Sequence, residues 1–367
     1  MSIPLVLGLN AVIVAVTDEV PRILTVKREK AQLTPIEREA IECILQNSDN
    51  PQYPKSPAEL DALPFGSLDP TKDRTLELAL RNWIREQTGI ELGYVEQLYT
   101  FGDRNRAQPI QENGPRVVSV AYLALVLEEL PSGNDDANWR EIYDFLPWED
   151  WRDGRPKSIE KEIYPVLEKW IASAPDTETQ QTRKERADIT FGLNASWDGD
   201  RVLERYELLY EMGLVFEAEY DHITQTILRK HNSPCHKDVP LSQEFLEDPQ
   251  ASFPQSRAMA FDHRRILSTA LGRLRGKLKY RPVVFELLPE TFTLFQIQRV
   301  VEALAGIRLH KQNFRRLVEK GGLVEATGEI DKRTGGRPAA LFRFRREVLR
   351  ERLAPGVGLP GKTGHST

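Results

Sequence analysis

Cysteine is nearly absent from the chain. Cys43 and Cys235 are its two examples in 367 residues, too few for a disulfide framework, which fits a reducing compartment. Long apolar runs are missing too. The stretch LVLGLNAVIVAV over 5–16 is too short to cross a bilayer and is interrupted by Asn10. It has no basic leader and no evident cleavage site, so it predicts a buried strand and a cytoplasmic protein without a membrane segment. The chain also lacks a Gly-rich phosphate loop and a Ser/His/Asp or Cys/His nucleophile set. In HNSPCH, His231, Cys235 and His236 cluster without the fourth ligand and the spacing of a zinc site.

What is present is charge, unevenly spread. The net charge of −5 conceals 21 Lys and Arg against 9 Asp and Glu between His263 and Leu353, or +12, which leaves −17 for the remainder. A basic module joined to an acidic body is the reading this asymmetry supports, and a basic module points to nucleic acid.

Periodicity outlines the body. Strands are expected over 5–16, 22–28, 94–101 and 116–127, with a capped helix over 34–45 and a Pro-, Asn- and Asp-rich loop over 47–70. A second helix is expected over 74–89, stopped by Gly89. FLPWEDWRDGRP (145–156) predicts a Trp-rich turn, 157–172 a helix, 177–186 a polar linker or helix start, and 197–213 a helix. Strands enclosing single helices imply a mixed α/β unit. Four regions are expected: 1–175, a connecting region 176–262, the basic module 263–353, and a disordered Gly/Pro-rich tail 354–367.

The basic module is the most legible part. FTLFQIQRVVEALAG (292–306) opens on Thr293 with Gln296 three residues on, a capping box, and closes on Gly306. HKQNFRRLVEKGG (310–322) predicts a second helix with Phe314, Leu317 and Val318 inward. Its other face shows Lys311, Gln312, Asn313, Arg315 and Arg316, the residue types that bond to base edges in a major groove. Two strands follow, joined by a tip where Lys332, Arg333 and Arg337 surround Gly335 and Gly336, and Arg343 extends the cationic edge. Two helices and a ribbon in this order predict a winged helix-turn-helix that holds DNA.

RNWIREQTGI (81–90) resembles the end of a Nudix box, whose glutamates one turn apart hold Mg²⁺ on a pyrophosphate. Aligning Gly89 with the box glycine sets Trp83, Glu86 and Gln87 on the three metal positions, Asn82 where arginine belongs and Arg74 where the upstream glutamate belongs. One carboxylate in three is a poor metal site, so no catalysis and no catalytic cofactor are expected. The alternative is a Mg²⁺-dependent pyrophosphatase acting on ADP-ribose or NAD.

Box and winged helix together, with RTLELALRNWIREQTGIELGYVEQLYTFGDRNR, VVSVAYLAL, PWEDWRDGRP and WDGDRVLERYELLYEMGLVFEA between and around them, resemble the Nudix-related transcriptional regulators of NAD biosynthesis, in their longer bacterial branch. The resemblance implies an α+β multidomain chain: a Nudix-like α/β sandwich that senses a nucleotide, then a C-terminal winged helix-turn-helix. It implies a dimeric repressor of NAD-biosynthesis genes on the bacterial nucleoid, with double-stranded operator DNA as partner. The effector would be NAD, NADH, ADP-ribose or ATP, and Arg74, Trp83, Glu86, Arg104 and Arg106 are the candidate contacts to it.

Overall fold

The structure, a computed structural model, describes residues 5–27, 35–47, 50–51, 53–102, 116–131, 136–230, 255–331 and 338–357. Seven strands build the central sheet: β1 (Leu5–Thr17), β2 (Val20–Lys27), β3 (Asp61–Ala62), β4 (Phe65–Ser67), β5 (Tyr94–Phe101), β6 (Arg116–Leu125) and β7 (Asn138–Glu141). The main path runs β3-β2-β1-β6-β5, with β4 on β1 and β7 on β2. β1 and β6 pair in parallel over ten residues, and the other pairings are antiparallel.

Alternation along β1 explains why both sheet faces are covered. Val12 and Val14 enter one core while Leu9, Ala11, Ile13 and Ala15 enter the other; β6 divides in the same way, Leu123 and Leu125 against Val120 and Ala124. α1 (Pro35–Asn47) and α2 (Leu76–Thr88) cover the second face through Ile41, Ile44, Leu80 and Ile84. Then come α3 (Ile142–Phe145) and a π turn, Ile159–Ile163, which runs into α4 (Tyr164–Ala172). They are followed by α5 (Thr177–Phe191) and α6 (Val202–Glu211), and Phe145, Leu167, Phe191 and Leu208 fill the first face. α7 (Phe216–Lys230) packs on α1, and α8 (His263–Leu278) lies in the first core through Ile266, Leu267, Leu271 and Leu274. A 3₁₀ turn, Val283–Leu287, leads to α9 (Leu294–Ala305), α10 (Lys311–Lys320), the ribbon β8 (Val324–Asp331) and β9 (Ala339–Phe344), and α11 (Val348–Glu351). The first core is one contiguous cluster from Val12 of β1 through α8 to Phe314 and Val348 of the basic module.

Several expectations need correction. The second helix begins at Leu76 with Thr75 as its cap, so Arg74 precedes it and is exposed. The presumed loop 47–70 contains β3 and β4. The polar stretch at 177–186 is the front of α5, capped by Asp176, whose side chain accepts the Thr179 N–H at 2.7 Å. Disorder from 354 onward gives way at 354–357, where the Val357 N–H donates to Leu278 O at 2.9 Å and Val357 is buried. Residues 358–367, Thr34 and the HNSPCH group lie outside the described residues. Among the described residues no helix is long and apolar enough to cross a membrane.

Candidate nucleic-acid interface and effector site

The front of α9 is set by the expected capping box: Thr293 Oγ1 accepts the Gln296 N–H at 3.2 Å while Gln296 Oε1 accepts the Thr293 N–H at 2.7 Å. Its end is set by Gly306, in the left-handed region at φ 67°. A Cβ there would stand 2.4 Å from Glu149 O, so both backbone conformation and space require glycine. The turn into α10 is organised by Glu302, 2% exposed. Its carboxylate accepts from the Leu309 N–H (3.0 Å), Gln298 (2.8 Å), Arg299 (2.9 Å) and Arg308 (3.2 Å). Burial alone would push this carboxyl up; the Leu309 N–H and then the side-chain donors outweigh it, and the net shift is downward.

α10 inserts Phe314 and Val318 into the core. Leu317, expected inward, is 37% exposed. Lys311, Gln312, Asn313 and Arg316 face solvent and Arg315 is half-buried. None of these five makes a side-chain hydrogen bond or ion pair among the described residues, and the buried Nε of Arg315 has no partner. The face therefore keeps unneutralised donors on a helix whose other side is locked. The ribbon is fixed as firmly: Phe292 and Phe342 exchange both backbone bonds (2.9 and 2.8 Å), and Phe344 stacks on Phe285 at 4.3 Å. Arg343 differs from the α10 cations, because Glu325 binds it at 2.5 Å. Lys332, Arg333 and Arg337 lie outside the described residues.

The box helix α2 is closed where α10 is open. Thr75 Oγ1 caps the Leu78 N–H at 3.2 Å and Gly89, at φ 72°, ends the helix. Arg81 pairs with Glu77 at 2.9 Å and also donates to Leu92 O and to Gly93 O, which pins the loop after the helix. Trp83 is half-buried, and its indole lies so close over Gly66 of β4 that a Cβ there would stand 2.4 Å from Nε1. Glu86 and Arg74 are exposed, and Arg104 and Arg106 lie outside the described residues. The residues at the positions that the expected box alignment gives to metal do not fit Mg²⁺: the Trp83 indole fills the space against β4 and offers no oxygen, and Gln87 brings no charge. Among the described residues no group of three His, Cys, Asp or Glu could hold a metal ion. Trp148 is fully buried and Trp151 packs on Trp197 at 4.2 Å, so both serve the core.

Against known proteins, residues 284–344 match the family model of the NrtR DNA-binding winged helix domain. That stretch resembles an NrtR winged helix. A curated relative, the ADPR responsive transcriptional repressor NtrR of Acinetobacter baylyi, is 41% identical over 86 residues, 23% of this chain. The chain spans about a third (34%) of that relative's length. Among solved structures, the Shewanella oneidensis NrtR complexed with a 27mer DNA aligns with 20% identity over 94% of this chain and 95% of its own, at a TM-score of 0.49. A MutT/nudix family protein from Enterococcus faecalis aligns with 15% identity over 94% and 88%, at 0.47.

Sequence reasoning missed the residues that join the winged-helix module to the sheet body. Glu149 is completely buried between two arginines: Arg205 binds both its oxygens (2.5 and 2.9 Å) and Arg275 binds one (2.5 Å). Arg275 also donates to Leu304 O of α9 (3.0 Å), Gly199 O (3.0 Å) and Glu149 O (3.0 Å). Tyr143 Oη donates to Ala303 O at 2.6 Å, and the Trp151 N–H donates to Gly306 O at 2.7 Å. On a second side the β1–β2 turn, with Asp18 and Glu19 at φ 50° and 66°, brings Glu19 to Arg299 (3.3 Å) and Arg308 (3.8 Å). The one available signal was a set of charged residues inside apolar runs, such as Glu149 in LPWEDW. Such residues are rarely buried unless paired.

Proposed function

We propose that this protein is a nucleotide-responsive transcriptional repressor of NAD-biosynthesis genes. It grips operator DNA through α10 and the wing, and it senses an NAD-related nucleotide with the domain that carries the degenerate box. The observation that supports this most is the α10 face: Lys311, Gln312, Asn313, Arg315 and Arg316 have no side-chain partner among the described residues, in a domain matched to a DNA-binding family. Lys332, Arg333, Arg337 and Arg343 would add wing contacts to phosphate, the last of them after yielding Glu325. The name of the Acinetobacter relative supports ADP-ribose as the effector class. NAD, NADH and ATP are the nucleotides to compare with it.

Hydrolysis has no place in this reading, because Trp83 occupies the first metal position. Nucleotide contacts are assigned to Arg74, Trp83, Glu86, Arg104 and Arg106, and the working unit is a homodimer in the bacterial cytoplasm, on the nucleoid. A dimeric winged helix reads half-sites about one helical turn apart, so the operator should be roughly palindromic. The test is fluorescence anisotropy on the promoter beside this gene, at several salt concentrations, titrated with ADP-ribose, NAD, NADH and ATP. Salt-dependent binding that one nucleotide shifts is the expected result. Indifference to duplex DNA, or Mg²⁺-dependent cleavage of ADP-ribose that Glu86→Gln abolishes, would overturn it.

A further inference from the structure

The two functions of the proposed repressor must be joined by some part of the fold, and one element touches both ends. α8 is a single helix of 16 residues, about 24 Å long. Its first residue, His263, is 4% exposed and bonded at both ring nitrogens. The Leu63 N–H donates to Nδ1 at 2.9 Å, and the Asn10 side-chain amide lies 3.2 Å from Nε2. The Asn10 atom facing Nε2 is Nδ2; with Nδ1 accepting from Leu63, Nε2 carries the proton, and turning the Asn10 amide over presents its oxygen as the acceptor. Asn10 belongs to β1 and pairs with Phe65 of β4; the Phe65 ring meets the His263 ring at 5.7 Å, and the next residue, Gly66, lies beneath Trp83. A three-residue strand thus touches the box helix through one residue and the head of α8 through its neighbour.

The joint ahead of this head is strained. Phe261 sits at φ 56°, a region that costs a bulky side chain energy and that persists only where surrounding structure enforces it. The far end of α8 carries Arg275, whose bonds to Glu149 and Leu304 O fix the end of α9, two residues from Gly306. Along the shaft, Gly272 and Gly276 face Asp200, letting the chain before α6 approach closely, and a Cβ on Gly272 would stand 3.0 Å from Asp200 O. A helix that is anchored by directional bonds at both ends, and packed along its length, moves as a unit.

We infer that α8 is the rod that carries nucleotide occupancy to the NrtR winged helix, with His263 and Arg275 as its two positioning residues. This rests on the function proposed above. A nucleotide seated on α2 and β4 displaces the Phe65–His263–Asn10 contact. The rod then shifts Arg275 against Leu304, and the α9 end that aims α10 follows. Neither anchor residue is among those proposed to contact nucleotide or DNA.

The experiment uses the full-length protein and ADP-ribose. Operator affinity is measured with and without saturating ADP-ribose, and ADP-ribose binding is measured separately by calorimetry, for wild type, Asn10→Ala and Arg275→Lys. Wild type should show an affinity ratio of about fivefold or more. Each variant should keep both separate affinities within about threefold while its ratio falls toward one. A wild type that ignores both DNA and nucleotide brings down the proposed function and the rod together. Variants that keep the wild-type ratio overturn the rod alone. Amide exchange in wild type covers the case of a variant that fails to fold: ADP-ribose should change protection at both Leu63, which bonds His263, and Trp151, which bonds Gly306. A change at Leu63 alone, or at neither, overturns the inference.

Discussion

α2 and α10 are built alike and finished differently. Both are short amphipathic helices with a buried stripe, Leu80 and Ile84 in one, Phe314 and Val318 in the other. On α2 the cations are answered from within the chain, half-buried Arg81 by Glu77 and exposed Arg85 by Glu91 at 3.7 Å. On α10 the corresponding cations have no partner among the described residues. Exposed ion pairs add little stability, so the difference bears more on what each helix offers a ligand. One face is closed by its own residues and the other presents donors with no partner among the described residues.

The sharpest way to break this comparison is at α10. Replacing Arg315 and Arg316 by alanine should weaken operator binding by about 1–3 kcal/mol for each arginine that reads a base, read as anisotropy at physiological salt. Thermal stability should change little for Arg316, which is exposed. Unchanged affinity in the double variant would mean that the open face reads nothing. At α2 the effect should fall on stability instead. Gly66→Ala forces its methyl into the Trp83 indole and should cost about 1–3 kcal/mol in chemical denaturation, with the lost stability restored when Trp83 is also made smaller.

Smaller effects sharpen the contrast. Arg81→Ala frees Leu92 O and Gly93 O and should cost about 1 kcal/mol of stability while leaving DNA affinity untouched. Arg343→Ala should be the mildest. Its guanidinium is already bound by Glu325, so the slope of log affinity against log salt should drop by less than the ~0.9 expected for a full phosphate contact. A drop as large as that from an α10 arginine would erase the distinction between paired and free cations.

Much of the pattern was readable in the residues themselves. Thr293 with Gln296, Gly89 and Gly306 are local signals whose geometry depends on few neighbours, and all three do what their chemistry requires. Where reading failed, the deciding forces were tertiary. β3 and β4 have two and three residues, too short for alternation to show. α5 is polar on most of its surface and buries only Ala187, Thr190 and Phe191 near its end, so its front resembled a linker. Leu317 follows the apolar period of α10, yet the neighbouring elements reach only as far as Phe314 and Val318. Glu149 inside an apolar run was a signal of a buried charge, but its partners could not be read, because Arg205 and Arg275 are 56 and 126 residues away in sequence. Lys332, Arg333 and Arg337, expected at a wing tip, and Arg104 and Arg106 lie outside the described residues.

The contiguous first core has a consequence for how such a chain can be rearranged. Phe292, Leu294, Ile297 and Val301 are buried in the same cluster as Leu271 and Leu274 of α8, so cutting the chain at 284 would lay an apolar wall bare to water. A module of residues 284–344 cannot be moved onto another body as a bead on a string. Any productive graft, natural or engineered, has to bring the supporting shaft with it, and so inherits whatever that shaft transmits.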